Sequence, residues 1–142
     1  MAYINQDGKA KIAANIKPLL KKYNLKGSLS IRNNMVILLT LKAGSIDFIE
    51  NYIDVDAKKT YGYKMAADNV EAVRKAKTLV VNPYHYKESF SGVAKEALAE
   101  IFAALKSADW YDRSDRQSDY FDIAYYFDVN IGKRQKPYEL VN

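Results

Sequence analysis

The sequence predicts an α+β fold: a small antiparallel sheet, made of an N-terminal hairpin and a C-terminal strand, with amphipathic helices packed on one face. Three observations carry this. Two apolar segments flank Asn33-Asn34, residues 121–131 alternate apolar and polar, and apolar residues recur at helical spacing after Asp7 and after Ser91. At 142 residues the chain has room for one domain with a core and is too short for two ordinary ones, so a single domain spanning residues 1–142 is expected.

Ile12, Ile16, Leu19, Leu20 and Tyr23 share one helical face, and lysines occupy the others, which predicts an amphipathic helix over residues 8–23. Asp7 is its expected N-cap, and Pro18 is expected to kink or divide it. Ser28, Ser30 and Arg32 alternate with Leu29 and Ile31. After Asn33-Asn34, two residues that tolerate positive φ, residues 35–41 are almost wholly apolar. The pair reads as a hairpin whose first strand lies at an edge and whose second is central.

Ser45 is placed to cap a helix carrying Ile46, Phe48, Ile49, Tyr52 and Ile53, with Asp47 near its positive end. Residues 54–64 lose the pattern and read as a connection. A short helix over residues 68–77 should turn Val70 and Val73 inward, and Leu79, Val80 and Val81 form a brief strand stopped by Asn82-Pro83. Beyond Ser91-Gly92, a long helix presents Val93, Ala94, Ala97, Leu98, Ile101, Phe102 and Leu105 in one stripe. Residues 109–116 lack periodicity and read as a surface loop. In the strand that closes the chain, Phe121, Ile123, Tyr125, Phe127, Val129 and Ile131 face the core, and Tyr126 and Asp128 face outward.

Composition narrows the function by exclusion. The absence of cysteine removes disulfides, thiolate metal sites and thiol nucleophiles together. No segment reaches the roughly 18 apolar residues of a membrane span and the first residues lack a signal-like core, so a soluble cytoplasmic protein is expected. No phosphate-cradling glycine loop and no nucleophile elbow occurs. His85, the single histidine, has no identifiable nucleophile beside it and reads as part of an aromatic turn. No catalytic residue, cofactor or metal is therefore assigned.

The net charge of +5 is unevenly spread. Residues 1–34 hold seven cations against one acid, a balance of +6, whereas residues 109–128 hold six aspartates against two arginines, a balance of −4. Lys17, Lys21, Lys22 and Arg32 are the candidate phosphate contacts, because clustered cations displace the counterions of a nucleic acid. Trp110, Tyr111, Arg113, Arg116 and Tyr126 are the candidate contacts to a protein partner, aromatic and arginine residues being the common anchors of interfaces. Twelve tyrosines suit either a half-buried sheet surface or an interface. Asp112, Asp115 and Asp119 raise a third reading, a metal-assisted enzyme, although their spacing is not that of a calcium loop.

The basic helix with Ile16-Lys17-Pro18-Leu19-Leu20-Lys21-Lys22-Tyr23, the strand Ser28-Leu29-Ser30-Ile31-Arg32, and Leu39-Thr40-Leu41-Lys42-Ala43-Gly44-Ser45 leading into a helix together resemble the large polyvalent protein-associated domains of phages and conjugative elements. Tyr120-Phe121-Asp122-Ile123-Ala124-Tyr125-Tyr126 resembles the aromatic closing strand of the same unit. The resemblance implies a mobile-element origin and a non-enzymatic accessory role. The sequence thus leads to a small binding protein that contacts nucleic acid or host nucleic-acid machinery. The alternative is an inhibitor of a host defence complex acting through its aromatic, acidic loop.

Overall fold

A computed structural model of the protein describes residues 2–59, 64–114, 117, 122–133 and 135–141. Among them the chain runs α1 (Gln6–Lys22), β1 (Leu25–Arg32), β2 (Val36–Gly44), α2 (Phe48–Ala57), α3 (Ala67–Ala76), β3 (Leu79–Val81), α4 (Tyr86–Ser89), α5 (Gly92–Leu105), β4 (Tyr126–Ile131) and β5 (Glu139–Leu140). The α+β class holds. The sheet order is β1-β2-β4-β3, with β5 beside the end of β2. The sheet is mixed rather than antiparallel: β1 and β3 run antiparallel to their neighbours, whereas β4 and β5 run parallel to β2. The intervening α2, α3, β3, α4 and α5 supply the long crossover that a parallel return demands.

The N-cap of α1 is Asn5, not Asp7. Asn5 Oδ1 accepts the Gly8 N–H at 3.0 Å, and Asp7 sits in the first turn, where its charge favours the helix dipole. Pro18 does not divide the helix, which continues to Lys22. The carbonyl that Pro18 leaves without its helical donor belongs to Ala14, an exposed residue, so water can satisfy it. Asn33 and Asn34 both take positive φ (53° and 54°), and Met35 N–H donates to Arg32 O at 3.0 Å to close the hairpin.

Asp47 rather than Ser45 caps α2, accepting the Glu50 N–H at 3.0 Å. Ser45 Oγ instead donates to Tyr23 O, tying the start of β1 to the end of β2. The short α4 has no counterpart in the sequence reading, four residues being too few for periodicity to show. Val93 leaves the expected stripe of α5 and stands 53% exposed, whereas Ala94, Ala97, Leu98, Ile101, Phe102 and Leu105 are buried.

The closing strand begins at Tyr126, not at residue 121. Phe121 lies outside the described residues, and Ile123 belongs to a separate bridge with Asp112. Arg113 N–H donates to Asp122 O at 2.8 Å and Ala124 N–H to Tyr111 O at 3.0 Å, so part of the expected loop is paired backbone. Tyr125, Phe127, Val129 and Ile131 are buried as the alternation requires. They join Ile37, Leu39 and Leu41 of β2 in the core, with Ile12 and Ile16 of α1 and Leu98, Ile101 and Leu105 of α5. Ser28, Ser30, Arg32, Val80 and Tyr126 are exposed on the sheet's other face. Among the described residues no helix is long and apolar enough to cross a membrane.

Candidate functional site

A groove is built where the sheet stops being continuous. β3 pairs with only Val129, Asn130 and Ile131 of β4 and ends at Val81. Asn82 Oδ1 then accepts the Tyr84 N–H at 2.8 Å, turning the chain away, and Pro83 offers no donor to extend the ladder. On the other side of the gap, Trp110 Nε1–H donates to Tyr125 O at 2.8 Å. The Trp110 ring meets Phe127 edge-on, with centroids 5.8 Å apart and planes at 72°. Pro83-Tyr84 and Trp110 are thus the two walls of a notch along the edge of β4.

Two clefts meet in this notch and share Pro83, Tyr84, Trp110 and Phe127. One, of about 570 Å³, opens onto the exposed face of the sheet beside Val36, Val80, Tyr126 and Asp128. The other, of about 440 Å³, runs beneath α5 beside Tyr86, Phe102, Lys87 and Lys106. Lys106 Nζ lies 4.7 Å from the centroid of the Trp110 ring and 5.6 Å from that of Phe127, a cation held over aromatic faces. Tyr84 is 72% and Tyr126 44% exposed, which for large side chains flanking a concavity leaves area for a partner to cover.

Tyr125 holds the notch in shape. Its hydroxyl donates to Leu105 O at 2.6 Å and accepts the Ala108 N–H at 3.3 Å, satisfying two groups at the end of α5. Burial pushes its pKa up, so the hydroxyl keeps the proton it donates.

Of the expected protein contacts, Trp110 and Tyr126 line this groove. Tyr111 and Arg113 lie outside it, on the paired segment. There the Arg113 guanidinium stacks on the Tyr111 ring at 4.0 Å and approaches Asp122 at 3.4 Å. Arg116 is outside the described residues. So are Asp115 and Asp119; among the described residues no group of three or more histidines, aspartates and glutamates is arranged to hold a metal ion. His85 precedes α4 and lines neither cleft, its exposed ring 3.9 Å from Glu88.

The four expected phosphate contacts do not share one surface. Lys17 lines a shallow cleft of about 240 Å³ between α1 and β1, together with Lys9 and Ser28. Lys21 is exposed in the last turn of α1. Lys22 reaches Glu100 of α5 at 3.1 Å, and the Tyr23 hydroxyl donates to the same carboxylate. Those bonds draw the Glu100 pKa down and the Lys22 and Tyr23 values up. Arg32 sits at the far end of β1 on the exposed face of the sheet, 3.7 Å from Asp128.

Sequence reasoning passed over Tyr84, Lys106 and the edge of Phe127. A signal for the last was present in Asn82-Pro83: a strand halted by proline leaves its neighbour's edge open. No protein family, curated protein or solved structure matches the chain. The chemistry the groove offers is its own: aromatic and aliphatic walls, a cation at one end and strand backbone along the floor.

Proposed function

We propose that this is a non-enzymatic accessory binding protein of a phage or mobile element that grips a component of host nucleic-acid machinery in the aromatic groove beside β4. The supporting observation is the convergence of Tyr84, Trp110 and Tyr126 on one concavity, since aromatic anchors around a fillable cleft dominate the energetics of protein interfaces. The resemblance to domains of phages and conjugative elements supports the origin. A defence complex of the host is one such component, and its inhibition is the simplest consequence of occupancy.

Co-purification from a bacterial host tests the reading. A protein captured by the wild type should be lost from the Tyr84→Ala, Tyr126→Ala double variant; capture at unchanged yield by that variant refutes it.

A second reading, direct contact with nucleic acid, is favoured by Lys9 and Lys17 facing one cleft with Ser28. It predicts salt-sensitive binding to DNA or RNA that weakens in the Lys9→Ala, Lys17→Ala variant. Absence of binding at low salt, where attraction is strongest, ends it.

A further inference from the structure

Parallel pairing turns alternate residues of β4 toward β2. Tyr126 N–H donates to Met35 O at 2.9 Å, so the main-chain groups of Tyr126, Asp128 and Asn130 face β2, and those of Phe127, Val129 and Ile131 face the opposite edge. Along that edge Val129 meets Val81 and Ile131 meets Leu79. The same register sets Phe127 opposite Pro83, where the ladder has already ended. Among the described residues the N–H and C=O of Phe127 therefore have no strand partner, and Phe127 lines the groove between Pro83-Tyr84 and Trp110.

Charge adds a direction. Lys87 and Lys106 line the cleft beneath α5, and no carboxylate lines it among the described residues. At the other end, Asp128 already has Arg32 at 3.7 Å. An occupant should thus carry negative charge toward α5.

We propose that the groove takes an extended, acidic and apolar segment of a partner protein, one residue of which pairs through its own C=O and N–H with the N–H and C=O of Phe127 as the segment crosses the edge of β4. This rests on the groove being the protein-binding surface. Apolar side chains of the segment lie over Val80 and Tyr126 on the sheet side, and a carboxylate reaches Lys87 and Lys106 on the helix side. Short main-chain pairing at a sheet edge with flanking side-chain clefts is a general mode of peptide capture. A DNA backbone offers acceptors but no donor, so it matches only half of the Phe127 edge.

The test is selection of a random peptide display library on the intact protein, followed by synthesis of enriched peptides with an N-methyl group at each peptide bond in turn. The expected peptides place an acidic residue beside aliphatic or aromatic ones. N-methylation at one central bond should weaken binding about tenfold, the worth of a lost hydrogen bond at an interface. Lys87→Glu with Lys106→Glu should weaken the acidic peptides comparably, and Tyr84→Ala with Tyr126→Ala should abolish binding.

Peptides that need both tyrosines yet tolerate N-methylation at every bond overturn the backbone pairing and leave the groove reading standing. Peptides indifferent to the tyrosines overturn both. Failure to enrich any peptide, or displacement of enriched peptides by a single-stranded thymidine oligonucleotide, overturns the proposed occupant.

Discussion

The indole N–H of Trp110 donates to the carbonyl of Tyr125 at 2.8 Å, while the Tyr125 hydroxyl donates to Leu105 O at 2.6 Å. One residue thereby joins the end of α5, the strand leading into β4 and one wall of the groove. Tyr125→Phe should cost about 1–2 kcal/mol, because Leu105 O loses a donor and Ala108 N–H an acceptor at a buried site. Trp110→Ala should cost about 2–3 kcal/mol, less than a fully buried tryptophan because it is only partly buried against the core. Urea unfolding monitored by circular dichroism checks both values.

Gly132 follows β4 at φ +74°, and an added Cβ would stand 2.6 Å from Lys77 O and 2.7 Å from Tyr138 N. Both atoms are backbone and have little room to yield. Gly132→Ala should therefore destabilise the protein by about 3 kcal/mol, combining left-handed strain with the close approach. A loss under about 1 kcal/mol in the same unfolding experiment would contradict the packing of β3 and the C-terminal segment around this turn.

Glu100 is held below its ordinary pKa of 4.5 by the hydrogen bonds from Tyr23 and Lys22. A carboxyl group with a depressed folded value contributes stability above 4.5 that disappears as pH falls through its folded pKa. Tyr23 and Lys22 are raised, so their contributions are complete below their unfolded values, 10.0 and 10.5, and fade as pH rises above these. The wild type should exceed Glu100→Gln in melting temperature at neutral pH, and the gap should close as the solution is acidified below 4.5. Melting curves across pH decide it; a gap that is constant down to acid pH contradicts the assignment.

Much of the fold was legible because its signals are local. Asn33-Asn34 marked the hairpin, and the alternation of Phe127, Val129 and Ile131 marked the buried side of β4. The parallel pairing of β4 with β2 was not legible, because register between strands so far apart in sequence leaves no local pattern. The lysines of α1 read as one patch because the carboxylate that claims Lys22 comes from α5. Likewise, Tyr84, Trp110 and Phe127 lie in three separate segments, and only the end of β3 opposite Phe127 makes them neighbours. Trp110 and Tyr126 were identified as individual aromatic anchors; the groove between them needed the sheet.

Tyr84 and Tyr126 are exposed, so replacing both with alanine should change stability by no more than about 1 kcal/mol while removing the anchors. That separation of binding from folding is what makes them the right positions to probe.

Site-specific photo-crosslinking in a bacterial host tests the central claim most directly, with a benzophenone amino acid in place of Tyr126 in one strain and of Lys17 in another. Adducts to a host protein at position 126, absent or much weaker at position 17, are the predicted result. Adducts confined to position 17, or crosslinks to nucleic acid from both positions, would contradict it.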